Sequence, residues 1–226
     1  MVKSNSIPEE KKSFFSSGAL KETKFIQDGR LEGEYTSYFD NGQIMARLYF
    51  SRGKRNGAAV AYYHSGQSRE KANFVNDKLD GLYISYHENG HIREQENYRD
   101  GKLEGLYQIN YKSGQLKEEE NFKNGKFDGA YITYYKSGQI KEKGYFLNDK
   151  RSSEYSAYYK NGKIKEKATF KNGKVIGKFL SYDENGSITE QSNTDNTGSS
   201  AEKWEEKDVA DLLRDLTHFD NNKKDK

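Results

Sequence analysis

The chain of 226 residues contains no cysteine, a single proline and no long hydrophobic run. The missing cysteines exclude a disulfide framework and a zinc site built from thiolates. No stretch approaches the ~18 apolar residues that a membrane-spanning helix requires. Residues 1–6 also lack the apolar core of a secretory signal, so we expect a cytoplasmic location by default.

Hydrophobic residues are scarce as well, at 32% of the chain, against a usual ~45–50%. Disorder would also require a large net charge and few aromatic residues. The net charge is only +3, however, and the chain carries 18 tyrosines and 12 phenylalanines. We therefore expect a folded protein that is ordered by aromatic residues and short-range contacts. Its acidic and basic residues are interspersed, so we expect no nucleic-acid partner.

What the chain does contain is a repeat with a period of 24 residues. A Ser-Gly or Asn-Gly dipeptide recurs at this spacing and ends at Gly18, Gly42, Gly66, Gly90, Gly114, Gly138, Gly162 and Gly186. A second glycine recurs from Gly33 to Gly177 and is replaced once, by Ser153; a third is replaced by Asp77 and Asp149. Aromatic and aliphatic residues keep the same phase, so the repeat must define the architecture.

Each unit has the pattern of a β-hairpin. Residues 129–135 are rich in tyrosine and β-branched residues, which favour a strand, and residues 139–146 return after the glycine turn. Asn148-Asp149 then forms a second tight turn. Parallel pairing would need crossovers of a dozen residues or more, for which there is no room. The sequence therefore predicts an all-β fold, an elongated and twisted antiparallel meander of hairpin repeats.

The turn also predicts how the side chains divide between the two faces of the sheet. If Tyr135 lies opposite Gln139 in a bulged turn, Tyr134 opposes Ile140 and Thr133 opposes Lys141. The predicted packed face then contains Ile132, Tyr134, Ile140, Glu142 and Phe146. The predicted wetter face contains Tyr131, Thr133, Tyr135, Gln139, Lys141 and Lys143. A slip of one residue would exchange the two faces.

The repeat predicts a domain over residues 13–191, of about seven to eight units, after a flexible segment 1–12. Residues 192–200 have the composition of a linker. In residues 201–220 the apolar spacing becomes that of an amphipathic helix, with seven acidic and three basic side chains, before a flexible tail over 221–226. Two roles for this helix stay open, a cover over the exposed sheet and a ligand for a partner's groove.

Chemistry-bearing residues recur with the repeat instead of forming one singular cluster. The glutamate column from Glu70 to Glu190 is interpreted as scaffold, hydrogen-bonded to tyrosine or backbone. A basic column from Arg69 to Lys165 fits either a solvated face or a phosphate ladder. His87 and His91 flank one turn, but a zinc site needs three or four ligands, and no third is evident. Known catalytic motifs are absent, so we expect no enzyme, cofactor or metal.

The segment Gly81–Glu94 follows the pattern Gly-x-Tyr-x-x-Tyr-x-x-Asn-Gly-x-Ile-x-Glu, and Tyr98–Gly105 completes the unit. This pattern resembles the MORN-repeat variant common in bacteria, over about residues 14–191. Bacterial chains similar to this one are often classed as antitoxin or immunity proteins of toxin–antitoxin systems. The resemblance implies a binder without catalysis.

We therefore expect a protein-binding module, an antitoxin that occludes the surface of a partner toxin. The alternative is a scaffold or cell-envelope module that tethers proteins or an anionic membrane surface. Tyrosine and arginine are enriched at binding hot spots, and the central units hold the fullest aromatic and basic set. The predicted contact residues are Tyr83, Tyr107, Tyr131, Tyr135, Arg93, Lys117 and Lys141, with Trp204, Leu212, Leu213, Leu216 and Phe219 from the helix.

Overall fold

The computed structural model describes residues 6–194, which form one antiparallel sheet. Its strands are β1 (Glu9–Phe14), β2 (Leu20–Gln27), β3 (Arg30–Tyr38), β4 (Ile44–Ser51), β5 (Lys54–Tyr62), β6 (Ser68–Val75), β7 (Lys78–Leu79), β8 (Gly81–Tyr86), β9 (Ile92–Arg99), β10 (Lys102–Leu103), β11 (Gly105–Asn110), β12 (Leu116–Lys123), β13 (Lys126–Tyr134), β14 (Ile140–Leu147), β15 (Lys150–Tyr158), β16 (Ile164–Lys171), β17 (Lys174–Val175), β18 (Gly177–Tyr182) and β19 (Ile188–Thr194).

Strands pair in chain order, so the predicted meander is confirmed. The two-residue strands β7, β10 and β17 each pair with the strand before them, and β8, β11 and β18 continue along that same neighbour. Within residues 6–194, no helix is long and apolar enough to cross a membrane.

The ends of the sheet lie outside the predicted domain bounds. β1 begins at Glu9, within the segment 1–12 that we expected to be flexible, because Glu9 to Phe14 pair with β2. β19 continues to Thr194, three residues into the predicted linker 192–200, because it pairs with β18 over its whole length. The rest of that linker, the predicted helix 201–220 and the predicted tail 221–226 lie outside the described residues.

The tight turns between units all have two central residues with positive φ. In the turn after β14, φ is 49° at Asn148 and 67° at Asp149. This is the geometry of a type I′ turn, whose twist matches that of the flanking strands. Asp77 and Asp149 take the place of glycine in two of these turns, because the short side chain of aspartate tolerates the left-handed region.

The glycine turns form as predicted. In the turn between β13 and β14, the Gly138 amide donates to the Tyr135 carbonyl at 2.8 Å, and the Tyr135 amide donates to the Gln139 carbonyl at the same distance. Gly138 has a φ of 86°, which favours a residue without a Cβ. Tyr134 lies opposite Ile140, also as predicted.

Beyond that first pair, the predicted register is wrong. Thr133 lies opposite Glu142 rather than Lys141, because Lys141 is an extra residue in a β-bulge. The same shift follows the glycine turn of each hairpin in the described sheet. The faces are therefore exchanged along the first strand. Tyr131 and Thr133 point into the packed side and Ile132 and Tyr134 away from it, while Glu142 and Phe146 lie on the packed side as predicted.

We call the packed side the inner face. Its buried aromatic and aliphatic residues include Phe74, Tyr83, Tyr98, Leu103, Tyr107, Phe122, Phe127, Tyr131, Tyr155 and Phe170. Tyr107 is 3% exposed, although no second layer covers it in the described part of the chain. A flat single-layer sheet would leave both faces wet. The sheet must therefore curl around its inner face, as open sheets of many strands do.

Successive units are joined by a recurring tyrosine in the glycine turn. The hydroxyl of Tyr63 donates to the carbonyl of Tyr86 at 2.6 Å, and those of Tyr111, Tyr135 and Tyr159 donate to carbonyls 23 residues ahead at 2.6–2.7 Å. His87 occupies the same position, with Nε2 3.2 Å from the Asn110 carbonyl. Because a carbonyl only accepts, His87 must carry its hydrogen on Nε2.

A second bulge explains the second glycine column. Between β12 and β13, Asp128, Gly129 and Ala130 together oppose Asn121, whose side-chain amide donates to the Ala130 carbonyl at 2.9 Å. Gly129 has a φ of 138°, and a Cβ there would lie 2.6 Å from the Cβ of Asn121. Ser153 holds this position in the next unit with a φ of 63°. The serine is therefore strained, since left-handed backbone costs an L-residue about 1–2 kcal/mol.

Substituting Ser153→Gly should raise the free energy of unfolding by roughly 1 kcal/mol, because glycine adopts positive φ without a Cβ penalty. The matched control is Gly129→Ser, which should lower the free energy of unfolding because its Cβ meets Asn121. Both are measured by chemical denaturation. A Ser153→Gly variant no more stable than the parent would contradict the assigned bulge.

Candidate interaction surface

The inner face is lined by carboxylates as well as by rings. Glu96 and Glu120 are 0% and 1% exposed, and Glu70 is 2% exposed. Tyrosine hydroxyls donate to several of these acids: Tyr98 to Glu96 at 2.5 Å and Tyr155 to Glu142 at 3.3 Å. Glu142 belongs to the predicted glutamate column, and Tyr155 also donates to Glu166 of that column at 3.5 Å, so the predicted structural role is confirmed for these two acids. The inner face is thus a closed, hydrogen-bonded interior that presents little surface to a partner.

Burial has the largest effect on the ionisation of Glu96. It raises the pKa of this carboxyl to about 8, although the hydrogen bond from Tyr98 acts in the opposite direction. Burial and the neighbouring Glu96 also raise the pKa of Tyr98. At neutral pH the carboxyl of Glu96 is therefore largely protonated, which lessens the cost of placing it in the core.

Arg151 is a departure from the repeat that the core explains. It stands where other units have Leu103 or Phe127, and its guanidinium carbon lies 4.8 Å from the ring centre of Tyr155 and 5.5 Å from that of Tyr131. These are cation–π distances. Arg151 is thus a core residue among aromatic rings rather than a mark of partner specificity.

The opposite side, which we call the outer face, carries exposed lysines. They are Lys71, Lys117, Lys141, Lys143, Lys165, Lys167 and Lys178. Acidic side chains are fewer there; among them, Glu119 accepts a hydrogen bond from Tyr134 at 2.9 Å. The modest net charge of the chain therefore conceals a separation, with carboxylates buried inside and lysines exposed outside.

Apolar side chains alternate with these cations strand by strand. Leu82 on β8 and Leu106 on β11 are 45% and 40% exposed, and Ile84 and Ile132 lie half-buried on the same face. The intervening strands β9 and β12 present amides and basic groups instead, such as Asn97 opposite Leu82. We call the outer-face apolar residues of β8, β11 and β13 the apolar rows. Sequence reasoning missed them because the regular register placed their column on the packed face.

The predicted contact residues fall into different environments. Tyr83, Tyr107 and Tyr131 are each 3% exposed in the core, so they offer no contact surface in this conformation; the bulge reverses the face on which we expected them. The hydroxyl of Tyr135 is used in the inter-unit bond to Tyr158. Arg93 is half-buried and donates to Glu94 and Ser85.

Two of the predicted contact residues, Lys117 and Lys141, are exposed. The predicted contacts Trp204, Leu212, Leu213, Leu216 and Phe219 lie outside the described residues.

Adjacent glutamates partly neutralise the basic column from Arg69 to Lys165. Arg69 lies 3.0 Å from Glu70, Arg93 lies 3.2 Å from Glu94, and Lys165 lies 3.6 Å from Glu166. A phosphate ladder would need these cations to be available, so the pairs favour the interpretation of a solvated face.

The side chains of His87 and His91 form hydrogen bonds with backbone carbonyls. His91 places Nδ1 3.1 Å from the Lys112 carbonyl, and His87 bonds the Asn110 carbonyl as described above. In residues 6–194 there is no group of three or more histidine, aspartate or glutamate side chains that could hold a metal ion.

These features define a β-hairpin repeat protein with one closed face and one open face. The chain belongs to the MORN repeat variant family, whose sequence profile matches residues 31–51, 55–76, 79–100, 103–124, 127–148, 153–172 and 176–196. The predicted family is thereby confirmed. MORN repeats are non-enzymatic modules that in general bind proteins or membranes.

Other comparisons add little. A solved structure of a Bacteroides fragilis protein of unknown function aligns over 84% of this chain and 94% of that chain, with 9% identity and a TM-score of 0.14. No curated protein matches the chain.

The free energy of unfolding should fall as pH rises from about 4.5 to about 8 and then level off. Over this range the unfolded chain loses the Glu96 proton while the folded chain keeps it, at about 1.4 kcal/mol per unit of difference in pKa. Glu96→Gln should flatten this slope, as measured by denaturation at several pH values. The control is Glu184→Gln at an exposed position. Equal slopes for parent and Glu96→Gln would show that Glu96 is ionised in the fold.

Proposed function

We propose that this chain is a non-catalytic protein-binding module of the antitoxin or immunity type, which neutralises a partner toxin by covering its surface with the outer face. The observation that carries the proposal is the alternation, from β8 to β13, of apolar rows with strands that present amides and basic groups such as Lys117 on one face of the sheet. Such a face fits a partner surface that is acidic and partly apolar. The choice of a toxin as that partner extends what the repeat pattern implied in the sequence analysis, and the capture experiment below tests it.

The outer face is large enough for a specific complex. The strands from β5 to β14 span about 40 Å across the sheet and about 20 Å along it, given ~4.8 Å between strands and ~3.3 Å per residue. The resulting ~800 Å² equals one partner's share of a standard interface. Leu82 and Leu106 would supply apolar contact, and lysines such as Lys117 and Lys141 would steer an acidic partner.

The construction of the sheet favours steric inhibition. Backbone pairing, the tyrosine hydroxyl bonds between units and the packed inner face all hold the outer face in one shape. A preorganised surface loses little conformational entropy when it binds. Neutralising a toxin in this way requires no chemistry from the chain, only a stable contact over the toxin's own site.

An anionic membrane surface is the second candidate. It is favoured by the same exposed lysines beside exposed leucines, since polybasic and apolar groups together bind anionic bilayers. A protein partner fits better, because the carboxylate of Glu119 lies among the lysines of this face and an anionic bilayer would repel it.

The double substitution Lys117→Glu/Lys141→Glu should weaken partner binding at least tenfold, because it reverses charge at the centre of the outer face. The partner is first captured from the native organism with the parent chain, and its Kd is then measured by calorimetry. The captured partner should also arrest growth when it is expressed alone, and co-expression of the parent chain should restore growth. The control is Lys54→Glu/Lys174→Glu, at exposed lysines beside the tight turns.

Unchanged affinity and unchanged rescue in the Lys117→Glu/Lys141→Glu variant would exclude the outer face. A captured partner that never arrests growth would exclude the toxin. Salt-sensitive sedimentation with anionic liposomes, lost in the same variant, would instead favour the membrane surface.

A further inference from the structure

We propose that residues 201–220 of this chain cover the outer face between β8 and β13 when no partner is bound. The inference rests on the proposed function, since it assigns a regulator to the same face. It would make the module self-covered, so that a partner binds by displacing the chain's own segment.

The sequence of this segment is suited to such a role. Trp204, Leu212, Leu213, Leu216 and Phe219 recur at helical spacing, which would gather them on one side of a helix. Seven acidic and three basic side chains make the remainder strongly negative. As a helix, the segment would be apolar on one side and acidic around it.

The outer face is complementary to residues 201–220 in both apolar character and charge. Leu82 and Leu106 are exposed to 45% and 40%, with Ile84 and Ile132 beside them in the apolar rows. Lysines such as Lys117, Lys141 and Lys143 border those rows. Apolar groups would meet apolar groups and carboxylates would meet ammonium groups, whereas the inner face offers only closed packing and buried acids.

The chain is long enough for the contact. β19 ends at Thr194, and the seven residues from there to Ala201, where the predicted helix begins, span at most ~25 Å. β13 lies five strand spacings from β19, or about 24 Å. As a helix, residues 201–220 would add about 30 Å, which equals six further spacings and reaches beyond β8.

Covering the outer face with residues 201–220 would have two consequences for the module. It removes the apolar rows from water, where exposed apolar patches favour aggregation. It also makes the cost of displacing the segment part of the binding free energy, so a weakly complementary surface cannot bind. An acidic and partly apolar partner can displace the segment, because it replaces both the apolar and the charged contacts that the segment makes with the outer face.

Trp204 is the single tryptophan, so its fluorescence reports directly on the segment. In the full chain without any partner, its emission should be shifted to shorter wavelength than in the same chain unfolded in urea. Leu82→Asp/Leu106→Asp should move the emission to the unfolded value and increase quenching by acrylamide. Circular dichroism checks that the sheet persists, as expected for side chains that are already 40–45% exposed.

The control is Ile7→Asp/Ile176→Asp, which changes two exposed apolar residues off the apolar rows and should leave the emission unchanged. An emission in the parent equal to that of the unfolded chain would overturn the proposal, as would insensitivity to Leu82→Asp/Leu106→Asp. A blue shift that grows with protein concentration would assign the contact to a second copy. These outcomes leave the capture experiment intact, so failure of the cover and failure of the binding function are distinguishable.

Discussion

Each hairpin of this sheet depends on one extra residue after its glycine turn. In the hairpin of β13 and β14, Lys141 stands between the pairs Tyr134–Ile140 and Thr133–Glu142. Because side chains alternate along a strand, a single extra residue exchanges the faces of everything beyond it. The bulge therefore brings Tyr131 together with Glu142 inside the curled sheet.

This exchange separates the charges of the molecule. Acids such as Glu96 and Glu120 lie inside; for Glu96, the hydrogen bond from the Tyr98 hydroxyl and protonation make the burial tolerable. The outer face carries lysines and leucines. The net charge of +3 therefore reveals neither the buried acids nor the exposed lysines. A thin sheet with few aliphatic residues can form a buried interior because aromatic rings and hydrogen-bonded carboxyls replace the missing aliphatic volume. The outer face is the one left open, and MORN repeats in general bind proteins or membranes.

The repeat predicted the architecture because glycine turns and strand composition are local properties. Positive φ at Gly138 and Asp149 follows from residue type, and the meander follows from the short connections. The faces could not be predicted in the same way. Whether one residue or two stand opposite Thr133 is decided by packing between neighbouring units, and no residue type marks a bulge as clearly as glycine marks a turn. Of the predicted contact residues, Lys117 and Lys141 are therefore exposed on the outer face, whereas Tyr83 lies in the core; their contact with a partner stays a prediction.

Ala58 and Ala59 test the face assignment most directly, since they are neighbours of one type on β5, exposed and 1% exposed respectively. The chain has no cysteine, so Ala58→Cys and Ala59→Cys each introduce a single thiol with little change in volume. If the bulge sets the faces, maleimide should label the folded Ala58→Cys variant rapidly and the folded Ala59→Cys variant only after unfolding. The reverse order, which a regular register would produce, would contradict the bulge and every assignment of surface that depends on it.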